Sequence, residues 1–200
     1  MIKILVVEDQ ALVRGAICSL LSLEDNIEIV GQAENGQVAL DMLNDIYVDV
    51  ILSDIEMPVM SGLELAEVVH AKYEHIDMLI MTTFSKSGYI KRAMALGVKA
   101  FILKESPTEY LVNAIKKVQN GQRVIDPELA LMALDDNDPL SNKERKAIKL
   151  AGDGLKTAEI AKALFLSEGT VRNYLSEAIS KLNAANRIDA ARIAKQKGWI

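Results

Sequence analysis

The chain has 200 residues, half of them hydrophobic and 26% charged, with a formal net charge of -5, a composition that describes a soluble globular protein with room for one or two cores. No apolar run reaches the roughly 20 residues that cross a bilayer. Met1-Ile2-Lys3 leads straight into a strand pattern instead of a signal peptide, so a cytoplasmic protein without membrane insertion is expected.

One cysteine, Cys18, excludes an internal disulfide and a cysteine-based metal cluster, and on the first helix it reads as a small buried or half-buried hydrophobe. The first strand is expected over Ile2 to Val7, followed by a helix in which Leu12, Val13, Ala16, Ile17, Leu20 and Leu21 form an apolar stripe at helical spacing. Ile27 to Val30 reads as the second strand; the Asn35-Gly36 turn then opens a helix from about Gln37 to Leu43. Val48, Val50, Ile51 and Leu52 are too few for a free-standing helix and rich in β-branched side chains, so they predict a strand buried on both faces, ending at Ser53-Asp54. Met78 to Met81 and Ala100 to Leu103 complete five strands. The helices between them carry Leu63, Leu65, Val68 and Val69, then Ile90, Ala93, Met94 and Leu96, with Gly97 as a stop. A fifth helix is expected after Ser106-Pro107-Thr108-Glu109, with serine as N-cap, proline first, glutamate third, and Gly121 closing the far end. His70 and His75 lie in a charged helix end and loop and read as solvated. Alternating strands and helices predict right-handed crossovers and a doubly wound, five-stranded parallel sheet.

That topology gathers separated positions at one edge. Glu8 and Asp9 follow the first strand, Asp54 the third, Thr82 the fourth and Lys104 the fifth, all at the carboxyl ends where open α/β sheets keep their chemistry. Crowded carboxylates repel one another unless a cation sits among them, and Mg²⁺ suits oxygen ligands. A carboxylate also attacks phosphorus to form an aspartyl phosphate, with a lysine and a hydroxyl to neutralise and hydrogen-bond the phosphoryl oxygens. Asp54 is therefore expected to accept a phosphoryl group.

The Glu-Asp pair after the first strand, D-x-x-M-P-x-x-x-G starting at Asp54, Thr82 and Lys104 together resemble a response-regulator receiver domain over about residues 1–121. The resemblance implies a flavodoxin-like (βα)5 fold with Asp54 as phosphoacceptor. It implies that Glu8, Asp9, Asp54 and the main-chain carbonyl of Glu56 hold Mg²⁺, that Lys104 and Thr82 contact the phosphoryl group, and that Phe101 is the switch aromatic. Glu105 stands where many receivers have proline after the lysine, which leaves the family's cis peptide without its usual residue.

Residues 122–139 read as a linker with turn-like Asp126-Pro127, a short helix over Glu128 to Leu134, and the solvated acids Asp135, Asp136 and Asp138. The balance of charge changes across it. Residues 1–121 hold 10 Lys/Arg against 17 Asp/Glu, whereas residues 140–200 hold 12 against 6. From Leu140 the pattern is helical throughout. Ser141 and Glu144 form a capping box for a helix with Ala147, Ile148 and Ala151 inward; Thr157 is placed to cap the next, with Ile160, Ala161 and Leu164. After a break at Phe165 to Ser167, Ser167 caps a third helix with Val171, Leu175, Ile179 and Leu182 on one side. Two short helices and a tight turn describe a helix-turn-helix, and Arg172 and Asn173 near the front of its second helix suit major-groove base edges.

Leu140-Ser141-Asn142-Lys143-Glu144 and Thr170-Val171-Arg172-Asn173-Tyr174 resemble the LuxR-type output domain of the NarL/FixJ family over about residues 140–200. By that resemblance Arg172 and Asn173 read bases, and Lys156, Thr157, Thr170, Lys181 and Arg187 anchor phosphates. The chain is expected to act as a two-component transcription factor, phosphorylated by a sensor histidine kinase, dimeric when phosphorylated, bound to promoter DNA and in contact with RNA polymerase. D-I-E-M-P, M-T-T-F, V-R-N-Y and the terminal K-G-W draw it nearest to family members that respond to membrane-lipid or envelope state. The dimer surface is open between the free face of the first helix, with Arg14 and Cys18, and the fourth and fifth helices. Two other readings are a helix-turn-helix adaptor that binds protein and an aspartyl-phosphate phosphatase. The latter needs a second catalytic aspartate two residues past the nucleophile, where this chain has Glu56.

Overall fold

A computed structural model describes residues 1–83, 86–134 and 138–200. Phe84 of the M-T-T-F stretch, and Asp135 and Asp136 of the expected acidic spacer, lie outside the described residues. The chain divides into two compact units, Met1–Ser85 with Ile90–Leu131, and Lys86–Tyr89 with Met132–Ile200.

The first unit is a parallel sheet wrapped by helices. Its elements are β1 (Ile2–Val7), α1 (Ala11–Leu21), β2 (Ile27–Ala33), α2 (Gly36–Met42), β3 (Val50–Asp54), α3 (Gly62–Lys72), β4 (Asp77–Thr82), α4 (Ser87–Ala95), β5 (Ala100–Leu103), α5 (Thr108–Gln119) and β6 (Val124–Ile125). The strand order is β2-β1-β3-β4-β5-β6. All neighbouring strands run parallel. Helices cover both faces, which is why Ile4 to Val7, Val50 to Leu52 and Met78 to Met81 are buried without alternation. On one face Ile17, Cys18 and Leu21 of α1 meet Leu111, Val112, Ile115 and Val118 of α5 over Ile4, Val50, Leu79 and Ile102. His70 and His75 are exposed, and the His75 ring stacks on Tyr47 at 5.5 Å between centroids.

The sheet has six strands where the sequence predicts five. Val124 donates its N–H to the Lys99 carbonyl and Asp126 to that of Phe101, so the start of the expected linker satisfies the otherwise open backbone edge of β5. A second local difference concerns α5, which begins at Thr108 with Pro107 as N-cap and no side-chain cap. Ser106 instead turns back, its N–H donating to the Leu103 carbonyl at 3.0 Å. The far end of α5 closes as expected. Gly121 adopts φ 77°, where a Cβ would be strained, and Gln122 donates to the Lys117 carbonyl. Among the described residues there is no cis peptide, so Lys104-Glu105 is trans.

The remaining helices are α6 (Pro127–Leu134), α7 (Asn142–Gly152), α8 (Thr157–Leu164), α9 (Glu168–Lys181) and α10 (Arg187–Lys197). The capping box forms: Glu144 donates its N–H to Ser141 Oγ at 3.3 Å, and Ser141 donates its own to Glu144 Oε2 at 2.7 Å. Ser167 Oγ likewise accepts from Thr170. Thr157 is the first helical residue instead of the cap; Lys156 holds that place, its N–H satisfied by the Glu159 carboxylate. The helix α10 has no counterpart in the sequence reading. Its start is marked by Asn186, which accepts from Ile188 and Asp189, and its end by Gly198 at φ 73°. Ala147, Ala151, Ala178, Ala190 and Ala194 let these helices approach closely around Ile148, Ile160, Val171 and Trp199. No helix of the described residues is long and apolar enough to cross a membrane.

Candidate functional site

Register brings the predicted residues of the first unit to one edge. Val7 lies opposite Ser53, Asp54 opposite Met81, and Thr82 opposite Leu103, so Glu8, Asp54, Thr82 and Lys104 stand at successive strand ends. One carboxylate oxygen from each of Glu8, Asp9 and Asp54 falls within 4.8 Å of the others. Lys104 reaches across from β5, its Nζ 2.6 Å from Glu8 Oε2 and 3.0 Å from Asp54 Oδ2. Burial pushes the Asp54 carboxyl above the usual carboxylate range against the pull of Lys104, and does the same to Glu8, which is only 1% exposed. For Lys104 burial works downward, yet its hydrogen bonds to Glu8 and Asp54 carry it above its ordinary value. The donor set is all oxygen, closely spaced and negatively charged, which fits a hard divalent cation.

Other atoms position this pocket. Ile55 donates its N–H to Asp54 Oδ1 at 2.7 Å, and Ser53 Oγ donates to the Asp54 carbonyl at 2.8 Å. Gly62 explains the last letter of the D-x-x-M-P-x-x-x-G pattern, because a Cβ there would lie 1.9 Å from the Asp54 carbonyl oxygen. Only glycine lets α3 start so close to the end of β3. Thr82 is buried at the end of β4, Phe101 is fully buried within β5, and Glu56 is exposed two residues beyond Asp54. The free face expected for α1 is turned: Cys18 is buried in the core, Leu12 and Leu20 of the expected stripe are exposed, and Arg14 donates from its guanidinium to the Glu8 carbonyl beside the pocket. Its spacing six residues after Glu8, near the start of the helix that leaves β1, is the signal for that reach.

In the second unit, α8 and α9 form the helix-turn-helix. Arg172 and Asn173 are exposed on α9, with Arg172 NH2 2.8 Å from Glu168 Oε2. Lys156 is exposed; Thr157, Thr170 and Arg187 are half-buried, and Thr170 Oγ1 shares a 2.8 Å hydrogen bond with Ser167 Oγ. Lys181, expected as a phosphate anchor, is exposed at the end of α9. Its Nζ donates to both carboxylate oxygens of Glu144 at 2.8 Å, tying the end of α9 to the start of α7. Burial opposes the charge on Glu144, but the Lys181 bond and the Ser141 N–H outweigh it and lower its pKa to about 2. Asp138 is likewise no free acid, since it accepts from the Leu140 N–H and from Arg145.

A phosphoacceptor-type acidic sheet edge joined in one chain to a helix-turn-helix unit defines the response-regulator class of transcription factors. Residues 4–116 match the response regulator receiver domain, and residues 138–194 match the bacterial regulatory proteins of the luxR family. The chain belongs to the response regulators with a LuxR-type output domain. It is 45% identical over 200 residues to the transcriptional regulatory protein DesR of Bacillus subtilis and 44% identical to YvfU of the same organism, each likeness covering all of both chains. Those relatives are transcriptional regulators. The structure of RcsB from Salmonella enterica serovar Typhimurium, bound to a promoter in the presence of phosphomimetic BeF3-, shares the fold with a TM-score of 0.70 at 19% identity, over 97% of this chain and 98% of that one.

Proposed function

We propose that this transcription regulator is switched by phosphorylation of Asp54. The observation that carries the reading is the convergence of Glu8, Asp9, Asp54 and Lys104 at one sheet edge, with Lys104 Nζ in contact with two of the three carboxylates. Glu8, Asp9, Asp54 and the Glu56 carbonyl would hold Mg²⁺, which when bound neutralises oxygens on the incoming phosphoryl group. Asp54 attacks the phosphorus of a phosphohistidine on a sensor kinase; the new oxygen–phosphorus bond replaces the nitrogen–phosphorus bond that breaks. Lys104 then transfers its hydrogen bonds from carboxylate to phosphoryl oxygens, Thr82 donates its hydroxyl to them, and Phe101 follows as the switch aromatic.

Residues 1–121 serve in this reading as the receiver, 122–139 as the connection and 140–200 as the DNA-binding domain, in a cytoplasmic protein that turns over no external substrate. Phosphorylation favours a homodimer that sets two α9 helices in successive major grooves of promoter DNA, where RNA polymerase is met. Arg172 and Asn173 reach base edges, and Lys156, Thr157, Thr170 and Arg187 hold phosphates. The test measures oligomeric state and promoter affinity at one stated salt concentration, with and without Mg²⁺ plus a small-molecule phosphodonor. Wild type is expected to become dimeric and bind more tightly, and Asp54→Ala to show no response. Equal binding by both proteins under all conditions would remove Asp54 as the control point.

A further inference from the structure

The turn of the helix-turn-helix holds an aromatic ring in an unusual position. Phe165 is 95% exposed and adopts φ 55°, ψ 45° as the C-cap of α8. Both properties are unfavourable for phenylalanine. The left-handed conformation costs a residue with a side chain about 1 kcal/mol or more, and Gly or Asn would hold the same turn with less strain. The turn itself needs only backbone: Phe165 donates its N–H to the Lys162 carbonyl at 3.3 Å, and Leu166 donates to that of Ala161 at 2.9 Å. Leu166 packs against the core of the unit, as do the other aromatics after Leu140, Tyr174 and Trp199. Phe165 alone of these points outward.

Its position says what the ring meets. Phe165 precedes Ser167, the cap of α9, by two residues, which is at most about 7 Å of chain. When a recognition helix docks, its N-terminal residues lie against base edges, so the turn that feeds it passes the wall of the groove. The apolar surfaces available there are deoxyribose carbons and the C5-methyl of thymine, and phenylalanine is among the side chains that pack on that methyl. Lys162, exposed in the last turn of α8 three residues before Phe165, adds a cation that suits a phosphate flank.

We propose that Phe165 is a DNA-contacting residue whose ring packs on sugar carbons and a thymine methyl at the rim of the major groove. It rests on the DNA-binding reading of the second unit. The contact is uncharged, so it adds affinity without adding counterion release, and it favours thymine at a position flanking the bases read by Arg172 and Asn173.

The experiment uses the full chain and a duplex enriched by the wild-type protein from a random pool. Affinity is measured across salt for wild type, Phe165→Asn and Phe165→Gly, with thermal melting followed by Trp199 fluorescence. Both variants should melt at or above the wild-type temperature, lose about five- to tenfold in affinity, and keep the wild-type salt slope. Replacing the flanking thymine by deoxyuridine should weaken wild type and leave Phe165→Asn unchanged. Unaltered affinity in both variants, or an equal response to deoxyuridine in wild type and variant, overturns the proposal. Retained DNA affinity with lost transcription also overturns it, because the ring would then face a protein. If wild type enriches no duplex at all, the DNA-binding reading itself fails, an outcome distinct from a loss confined to Phe165.

Discussion

Val59 shows how much can depend on one backbone angle. It lies in the loop after Asp54, 82% exposed, with φ 67° and a tight reverse turn in which the Met60 N–H donates to the Pro58 carbonyl at 2.7 Å. A β-branched residue is poorly suited to that region, and its exposed side chain recovers little by packing. Glycine accepts the angle freely but loses more entropy on folding, so the two effects oppose each other. The strain is the larger, and Val59→Gly should stabilise the first unit by about 1 kcal/mol in chemical denaturation. Unchanged stability would mean that the loop holds valine without strain.

Elements were legible where composition and spacing agreed. Five strands stand out because each is an apolar run between polar turns, interrupted by Lys3 in the first and Glu28 in the second, and the site residues follow because parallel strands place all their carboxyl ends together. The sixth strand is hidden, since Val124–Ile125 is too short to show any period and exists only because β5 offers an edge. Ser106 and Thr157 each carried a capping signal that the backbone satisfies one residue away, and α10 lacks a marked apolar stripe because its buried residues are Ala190, Ala191 and Ala194. The Glu144–Lys181 pair was beyond reach, as its partners are 37 residues apart and only packing of α9 on α7 joins them. That pair has a measurable consequence. The Glu144 pKa of about 2 lies below its ordinary 4.5, so its stabilisation is complete above about pH 5 and fades as the pH falls towards 2. Urea unfolding followed by Trp199, the only tryptophan, should lose about 2–3 kcal/mol across that window in wild type and much less in Glu144→Gln. Parallel curves would show that the pair does not titrate with folding.

At the scale of the whole molecule, charge separates the tasks. Residues 1–121 carry a net charge of -7 and residues 140–200 a net +6, so attraction to a polyanion belongs to the second part alone. DNA affinity should fall steeply between 50 and 200 mM salt, and Lys156→Ala or Arg187→Ala should each lower the slope of log affinity against log salt by about 1. Lys181→Met should leave the slope unchanged while lowering stability, because its ammonium is already held by Glu144. A lowered slope would instead return Lys181 to the DNA surface. The same arithmetic applies to the pocket around Asp54. Three carboxylates crowd this edge, and Lys104 pairs with only two of them, Glu8 and Asp54, so negative charge is left for a cation to offset. Lys104 therefore acts as a partial counter-ion, holding Glu8 and Asp54 together while leaving the edge negative enough to favour a divalent over a monovalent cation.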